Sequence, residues 1–241
     1  MRPVLFDIFG LSVPSYGFFL LFGFLAGGLI YFLEARRKGL LQENFLFVAL
    51  AAFFGAALGA KIPIWVYYYK EIFSDFNIYL FFSGRTIVGG IIGGWIAVEL
   101  VKRKLMIRQK TGDLFAPGIA LGTAMGRIGC LLKGCCHGVA TTLPWGYDFG
   151  DGLLRHPTQM YSIIFNIALF IFLWLRRKKI KREGELFELY LIIYFSFRFL
   201  IEFIRTSDEI LLGLSGFQLA AIFVIAYTIY MRVRIKRNIK N

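Results

Sequence analysis

The chain has 241 residues, 58% of them hydrophobic and 18% aromatic, which is more apolar surface than a water-soluble domain of this size has room to bury. Its formal net charge of +13 would suit a nucleic-acid binder, but the charges lie in short clusters between apolar runs rather than on one soluble face, which argues against a nucleic-acid partner. The expectation is one all-α membrane domain over residues 1–241, with about seven transmembrane helices.

The chain opens with Met1 to Leu11, where Phe and Leu mix with Arg2 and Asp7 in the manner of an interfacial segment. Candidate spans follow at Ser12 to Leu33, Asn44 to Tyr69, Thr86 to Val101, Leu114 to Leu132, Met160 to Leu175, Leu186 to Ile204 and Leu214 to Met231. Between the second and third, Lys70 to Gly84 reads as a second interfacial stretch. The first apolar run is long and leads into Glu34, Arg36, Arg37 and Lys38 with no small-residue cleavage site, so no cleavable signal is expected.

Of the 28 Lys and Arg residues, 19 fall after spans one, three and five and in the C-terminal tail. These clusters are Arg36–Lys38; Lys102–Lys104, Arg108 and Lys110; Arg176–Lys179, Lys181 and Arg182; and Arg232, Arg234, Lys236, Arg237 and Lys240. A bias that alternates strictly with span number implies an odd number of spans, with the N-terminus outside and the C-terminus in the cytoplasm.

The remaining basic residues are the informative ones. Arg127 interrupts span four, and Arg198 and Arg205 interrupt span six together with Glu202. A charge at bilayer depth costs at least about 2.5 kcal/mol, so each needs a partner. Tyr194, Arg198, Glu202 and Arg205 are spaced by four, four and three, which places them on one helical face. An internal Arg198–Glu202 pair that fixes helix register is one reading. It leaves cationic charge over, because one carboxylate faces two arginines there and Arg127 has no acidic neighbour in its span. Guanidinium groups suit a phosphate through bidentate hydrogen bonds, and a phospholipid headgroup is the anion at hand.

Gly89, Gly90, Gly93 and Gly94 crowd span three, and Gly55 and Gly59 share GxxxG spacing in span two, the pattern of close helix packing. Such backbone also suits the lining of a lipid site. All three cysteines and both histidines lie between Cys130 and His156, in Cys130, Cys135, Cys136, His137 and His156. They are candidate metal ligands, disulfide partners or acid–base groups, but none of the paired zinc spacings is present, so no metal and no cofactor is expected.

Read together, these motifs resemble the prolipoprotein diacylglyceryl transferase family of bacterial inner-membrane enzymes over nearly the whole chain and in the same order. The resemblance rests on Ser15-Tyr16-Gly17, Gly59-Ala60-Lys61, Gly126-Arg127-Ile128-Gly129 through Gly138, and His156-Pro157-Thr158-Gln159-Met160-Tyr161. It continues through Tyr194-Phe195-Ser196-Phe197-Arg198 with Glu202 and Arg205, and ends at Ser215-Gly216-Phe217-Gln218. It implies transfer of a diacylglyceryl group from phosphatidylglycerol to the lipobox cysteine of a prolipoprotein, with glycerol phosphate released, in a multi-pass protein of the bacterial inner (plasma) membrane among membrane lipids. It also implies that Arg127 and Arg198 hold the phosphate. Tyr16, Lys61, Gly89, Gly90, Gly138, His156, Gln159, Tyr194, Glu202 and Arg205 are then expected at the substrate.

The chain departs from the family pattern in places. Val88 stands where many members have a histidine that is a candidate base for the acceptor thiol, and a valine takes no proton. Cys130 replaces an asparagine, and Lys133-Gly134-Cys135 replaces Asn-Gly-Glu. His137 is the expected substitute base. Two other functions fit the same residues: a phospholipid-dependent transferase with a different acceptor, and a lipid-binding or lipid-moving membrane protein without catalysis.

Overall fold

The computed structural model describes residues 1–8, 10–40, 43–73, 84, 86–205, 209–211 and 213–240. Most of the Lys70 to Gly84 segment, expected at the interface, therefore lies outside the described residues. Two compact units are present, one formed by Met1–Leu33 with Lys110–Asn241 and the other by Glu34–Gln109.

All seven expected segments are helical. They form α1 (Ser15–Arg37), α2 (Glu43–Gly59), α5 (Ile87–Lys104), α6 (Gly112–Lys133), α7 (Thr158–Arg176), α8 (Glu185–Glu202) and α9 (Gly216–Lys240). Short helices α3 (Ile62–Tyr67) and α4 (Tyr69–Phe73) follow α2. The second segment is not one unbroken helix: a turn at Ala60–Lys61 ends α2, and Pro63, which has no N–H to give the preceding turn, sits at the start of α3. Three antiparallel two-stranded ribbons are present among the described residues. They pair β1 (Val4–Ile8) with β2 (Leu11–Pro14), β3 (Tyr147–Asp148) with β4 (Leu154–Arg155), and β5 (Glu209–Leu211) with β6 (Leu214–Ser215).

Five described helical segments are long and apolar enough to cross a membrane: Ser15–Arg37, Asn44–Tyr67, Gly112–Lys133, Thr158–Arg176 and Gly216–Ile235. Polarity runs inside out, as a lipid solvent demands. Leu25, Phe54 and Phe223 are 63%, 64% and 70% exposed, whereas Gln159, Asn166 and Glu202 are at most 4% exposed.

In the larger unit α6 packs on α7 and α8, and α8 on α9. The buried carboxylate of Asp113, at the start of α6, caps the neighbouring helix: it accepts from Gly184 N at 2.8 Å and Phe187 N at 3.0 Å. Gly184 supplies the left-handed residue (φ +83) that turns the chain into α8. Gly23 and Gly27 of α1 meet Gly122 and Gly118 of α6.

In the Glu34–Gln109 unit α2 and α5 pack backbone to backbone through the predicted glycines. A Cβ on Gly59 would come within 2.5 Å of Gly89 O and 2.7 Å of Gly93 Cα. Neither is a flexible side-chain end, so the helices must separate to admit a methyl group. Gly59→Ala is expected to cost about 1–3 kcal/mol, read as a lower unfolding midpoint in detergent. An unchanged midpoint would show that the seam yields.

Candidate functional site

The site in the larger unit is built from α6, α8 and the loop between α6 and α7. The predicted stripe on α8 is buried: Tyr194 is 2%, Arg198 5% and Glu202 4% exposed. Four-residue spacing brings Arg198 Nη1 onto Glu202 Oε2, and Arg205 Nε lies 3.9 Å from the same oxygen. The second Glu202 oxygen, Oε1, accepts from Ser215 Oγ at 3.3 Å.

Ser215 and Gln218 close a reciprocal cap at the start of α9. Gln218 Oε1 accepts from Ser215 N at 2.9 Å, and Ser215 Oγ accepts from Gln218 N at 3.3 Å. Phe217, one residue into that cap, sets its ring 4.7 Å from the Arg198 guanidinium. The first turn of α9 thus holds both members of the Arg198–Glu202 pair. The Ser-x-x-Gln pattern before an apolar run is its visible sequence signal, although these residues were not among the expected site residues.

Arg127, 9% exposed on α6, joins this group: it acts electrostatically on Arg198 and, with Arg198 and Arg205, on Tyr194. Three guanidinium groups therefore converge with Glu202 as the carboxylate among them. The buried Nε of Arg127 has no hydrogen-bond partner among the described residues. A buried donor in that state is a standing demand for an acceptor.

The loop supplies the adjoining wall. Helix α6 ends at Gly134, whose left-handed φ of +75 reverses the chain, and Cys136 (φ +66) reverses it again. Side chains at the start of α7 pin the result: Gln159 Nε2 donates to Cys135 O and Thr158 Oγ1 to Cys136 O, both at 2.6 Å. Gln159, expected at the substrate, here holds the loop, and Thr158, which does the same, is not among the expected residues. The sulfurs of Cys130, Cys135 and Cys136 lie within 4.8 Å of one another as free cysteines. Hydrogen bonds from Cys130 and Cys135, with the fields of Arg127 and Arg205, draw the Cys136 thiol below the usual thiol range.

Gly138 is where loop, α7 and the end of α8 meet. Gly138 N donates to His156 O at 2.8 Å and Val139 N to Ile204 O at 3.0 Å. A Cβ on Gly138 would run into Ile204 O and lie 2.8 Å from His156 Cβ and 2.9 Å from Thr158 Cγ2. Gly138→Ala is expected to push the loop off α8, with a loss of about 1–3 kcal/mol and a comparable fall in activity. Native melting and activity would refute this.

Of the remaining expected residues, His137 lies next to Cys136 with its ring stacked on Phe149 at 5.1 Å. His156 Nδ1 is 3.3 Å from Tyr161 OH, which accepts from Trp145 Nε1 at 2.8 Å. Tyr16 faces Lys133, whose Nζ is 5.9 Å from its ring, and Gly129 admits the Tyr16 backbone at 3.0 Å from its would-be Cβ. Lys61, Gly89 and Gly90 belong to the Glu34–Gln109 unit. There Lys61 begins α3, while Gly89 and Gly90 lie in the first turn of α5 beside the buried Val88.

Comparison with known proteins gives one answer. The family model described as prolipoprotein diacylglyceryl transferase matches residues 3–234. A phosphatidylglycerol–prolipoprotein diacylglyceryl transferase of Clostridium tetani (strain Massachusetts / E88) is 37% identical over 213 residues, covering 85% of this chain and 86% of the relative. A second, of Clostridium perfringens (strain 13 / Type A), is 35% identical over 236 residues, covering 93% and 92%. One from Finegoldia magna (strain ATCC 29328 / DSM 20472 / WAL 2508) is 30% identical over 245 residues, covering 99% and 98%.

Proposed function

The chain belongs to the prolipoprotein diacylglyceryl transferase family, and from that membership we propose how its own residues perform the reaction. It transfers the diacylglyceryl group of phosphatidylglycerol to the lipobox cysteine thiol of a prolipoprotein and releases glycerol phosphate. The observation that carries this reading is the Arg198–Glu202–Arg205 cluster within electrostatic reach of Arg127, whose Nε has no hydrogen-bond partner among the described residues.

The bound lipid presents a phosphodiester to these groups. The acceptor sulfur attacks the diacylglyceryl carbon that bears the phosphate oxygen, the carbon–oxygen bond breaks, and negative charge grows on the departing phosphate. Guanidinium groups already held in place stabilise that charge without reorganising, and Glu202 with Ser215 and Phe217 keeps Arg198 from turning away. Tyr16, Tyr194, Gln159, His156 and Gly138 shape the surroundings of the lipid. The chain is a multi-pass protein of the bacterial plasma membrane, its site on the outer side, because the basic clusters alternate as cytoplasmic anchoring requires.

His137, next to the cysteine loop, receives the acceptor proton where Val88 is unable to. His137→Gln is expected to lower the rate by about 10²-fold at unchanged phosphatidylglycerol affinity; an unchanged rate clears it of the role. The function itself is tested with purified chain, labelled phosphatidylglycerol and a lipobox peptide. Joint appearance of glycerol phosphate and lipidated peptide is expected, whereas lipid binding without turnover would make the protein a carrier.

A further inference from the structure

We propose that Cys130, Cys135 and Cys136 form a three-sulfur site for a single Zn²⁺ ion whose open fourth position takes the acceptor thiol. The proposal rests on the transferase reading above and adds a cofactor to it. Zinc–sulfur bonds of about 2.3 Å place three sulfurs on one ion about 3.7–4.0 Å apart. In this chain all three sulfurs fall within 4.8 Å, and those of Cys135 and Cys136 are 3.8 Å apart. Shifts of up to about 1 Å complete the site.

The arrangement is built rather than accidental. Cys130 is fixed in the last turns of α6, and two left-handed residues on either side of Cys135, Gly134 and Cys136, fold the next two cysteines back over it. A left-handed backbone at a side-chain-bearing residue is uncommon and persists where the surroundings enforce it. Here Gln159 and Thr158 enforce it by holding the carbonyls of Cys135 and Cys136, which leaves the three sulfurs close to one another. Cys130 is buried, Cys135 half-buried and Cys136 exposed, so the cluster is closed on one side and open on the other.

Three ligands and an open position are the mark of a catalytic rather than a structural zinc. Three thiolates on Zn²⁺ leave one net negative charge, which the fields of Arg127 and Arg205 at Cys136 complement. The chemistry fits the reaction. A thiol that enters the fourth position ionises on the metal, and its proton passes to His137, the residue after Cys136. The bound sulfur gives an electron pair to the diacylglyceryl carbon, the carbon–oxygen bond breaks, and glycerol phosphate leaves with that bond's pair into the arginines. The neutral thioether product is a weaker ligand and departs. No oxidation state changes.

The test uses the full-length protein purified in detergent from cells grown with zinc. Elemental analysis is expected to find about one zinc per chain, lost in C130S and C135S and in the exposed-site variant C136S, with Arg127→Ala keeping its zinc. Chelation is expected to reduce lipobox-peptide lipidation by about 10²-fold, and zinc to restore it. With Co²⁺ as probe, a sulfur-to-metal charge-transfer band is expected to strengthen on adding a lipobox cysteine peptide and to ignore its serine analogue. Full turnover by zinc-free protein overturns the proposal. So does a pair of cysteines that label with maleimide only after reduction, which would make the cluster a disulfide. Zinc bound by a wild-type chain that releases no glycerol phosphate refutes the transferase reading, and with it the thiol-activating role.

Discussion

Arg127→Ala and Arg198→Ala are each expected to lower glycerol phosphate release by about 10²–10³-fold, the loss typical of one preorganised donor to a developing oxyanion. The two variants should differ in stability. Among the described residues Arg127 Nε has no hydrogen-bond partner and Arg127 is in no described salt bridge, so removing the side chain strands no described carboxylate. Arg198 is bound to Glu202, and its loss leaves that carboxylate with Arg205 at 3.9 Å and the Ser215 hydroxyl. Arg127→Ala is therefore expected to fold as the wild type and fail in turnover, while Arg198→Ala also melts earlier. Arg127→Lys keeps the charge but loses the planar fork, and should recover only part of the rate. The measurement is release of label from phosphatidylglycerol at matched protein levels. Wild-type turnover by Arg127→Ala would remove the phosphate-holding role.

Glu202→Ala is expected to be the most damaging single change to the fold of the site. The carboxylate is 4% exposed and serves Arg198, Arg205 and Ser215. Deleting one member of a buried ionic group typically costs about 3–5 kcal/mol, because the remaining charges stay buried without compensation. Two guanidinium groups would then face each other beside Arg127, and the cap that begins α9 would lose its anchor. Little folded protein should survive extraction in detergent. Glu202→Gln keeps the size and one acceptor oxygen but loses the charge and the second acceptor, so it should fold better than Glu202→Ala yet position Arg198 poorly. A native melting temperature in Glu202→Ala would show that these arginines are neutralised elsewhere.

Much of this was legible before the structure. Hydropathy located every long helix among the described residues, since a lipid solvent imposes a length and a composition that few other constraints mimic. The spacing of Tyr194, Arg198, Glu202 and Arg205 gave the buried face and its ion pair, and GxxxG spacing gave the α2–α5 seam. What escaped was set by backbone reversals that side-chain identity does not announce. The cysteines show no paired spacing along the chain; they meet because Cys136 adopts a left-handed conformation seldom taken by a residue with a side chain. The break at Ala60–Lys61 is of the same kind: a hydropathy profile runs straight through a turn that costs no polarity. The Val4–Pro14 ribbon was read only as an interfacial segment, because two short strands carry too little alternation to stand out.

The seam between α2 and α5 has a further consequence. Where Gly59 and Gly89 put main chain against main chain, no fatty acyl tail fits between the two helices, as the tail is thicker than the gap. Lipids diffusing up to this pair find a closed wall there and must go around it. The glycines therefore help decide which routes through the membrane plane are shut to a two-tailed molecule.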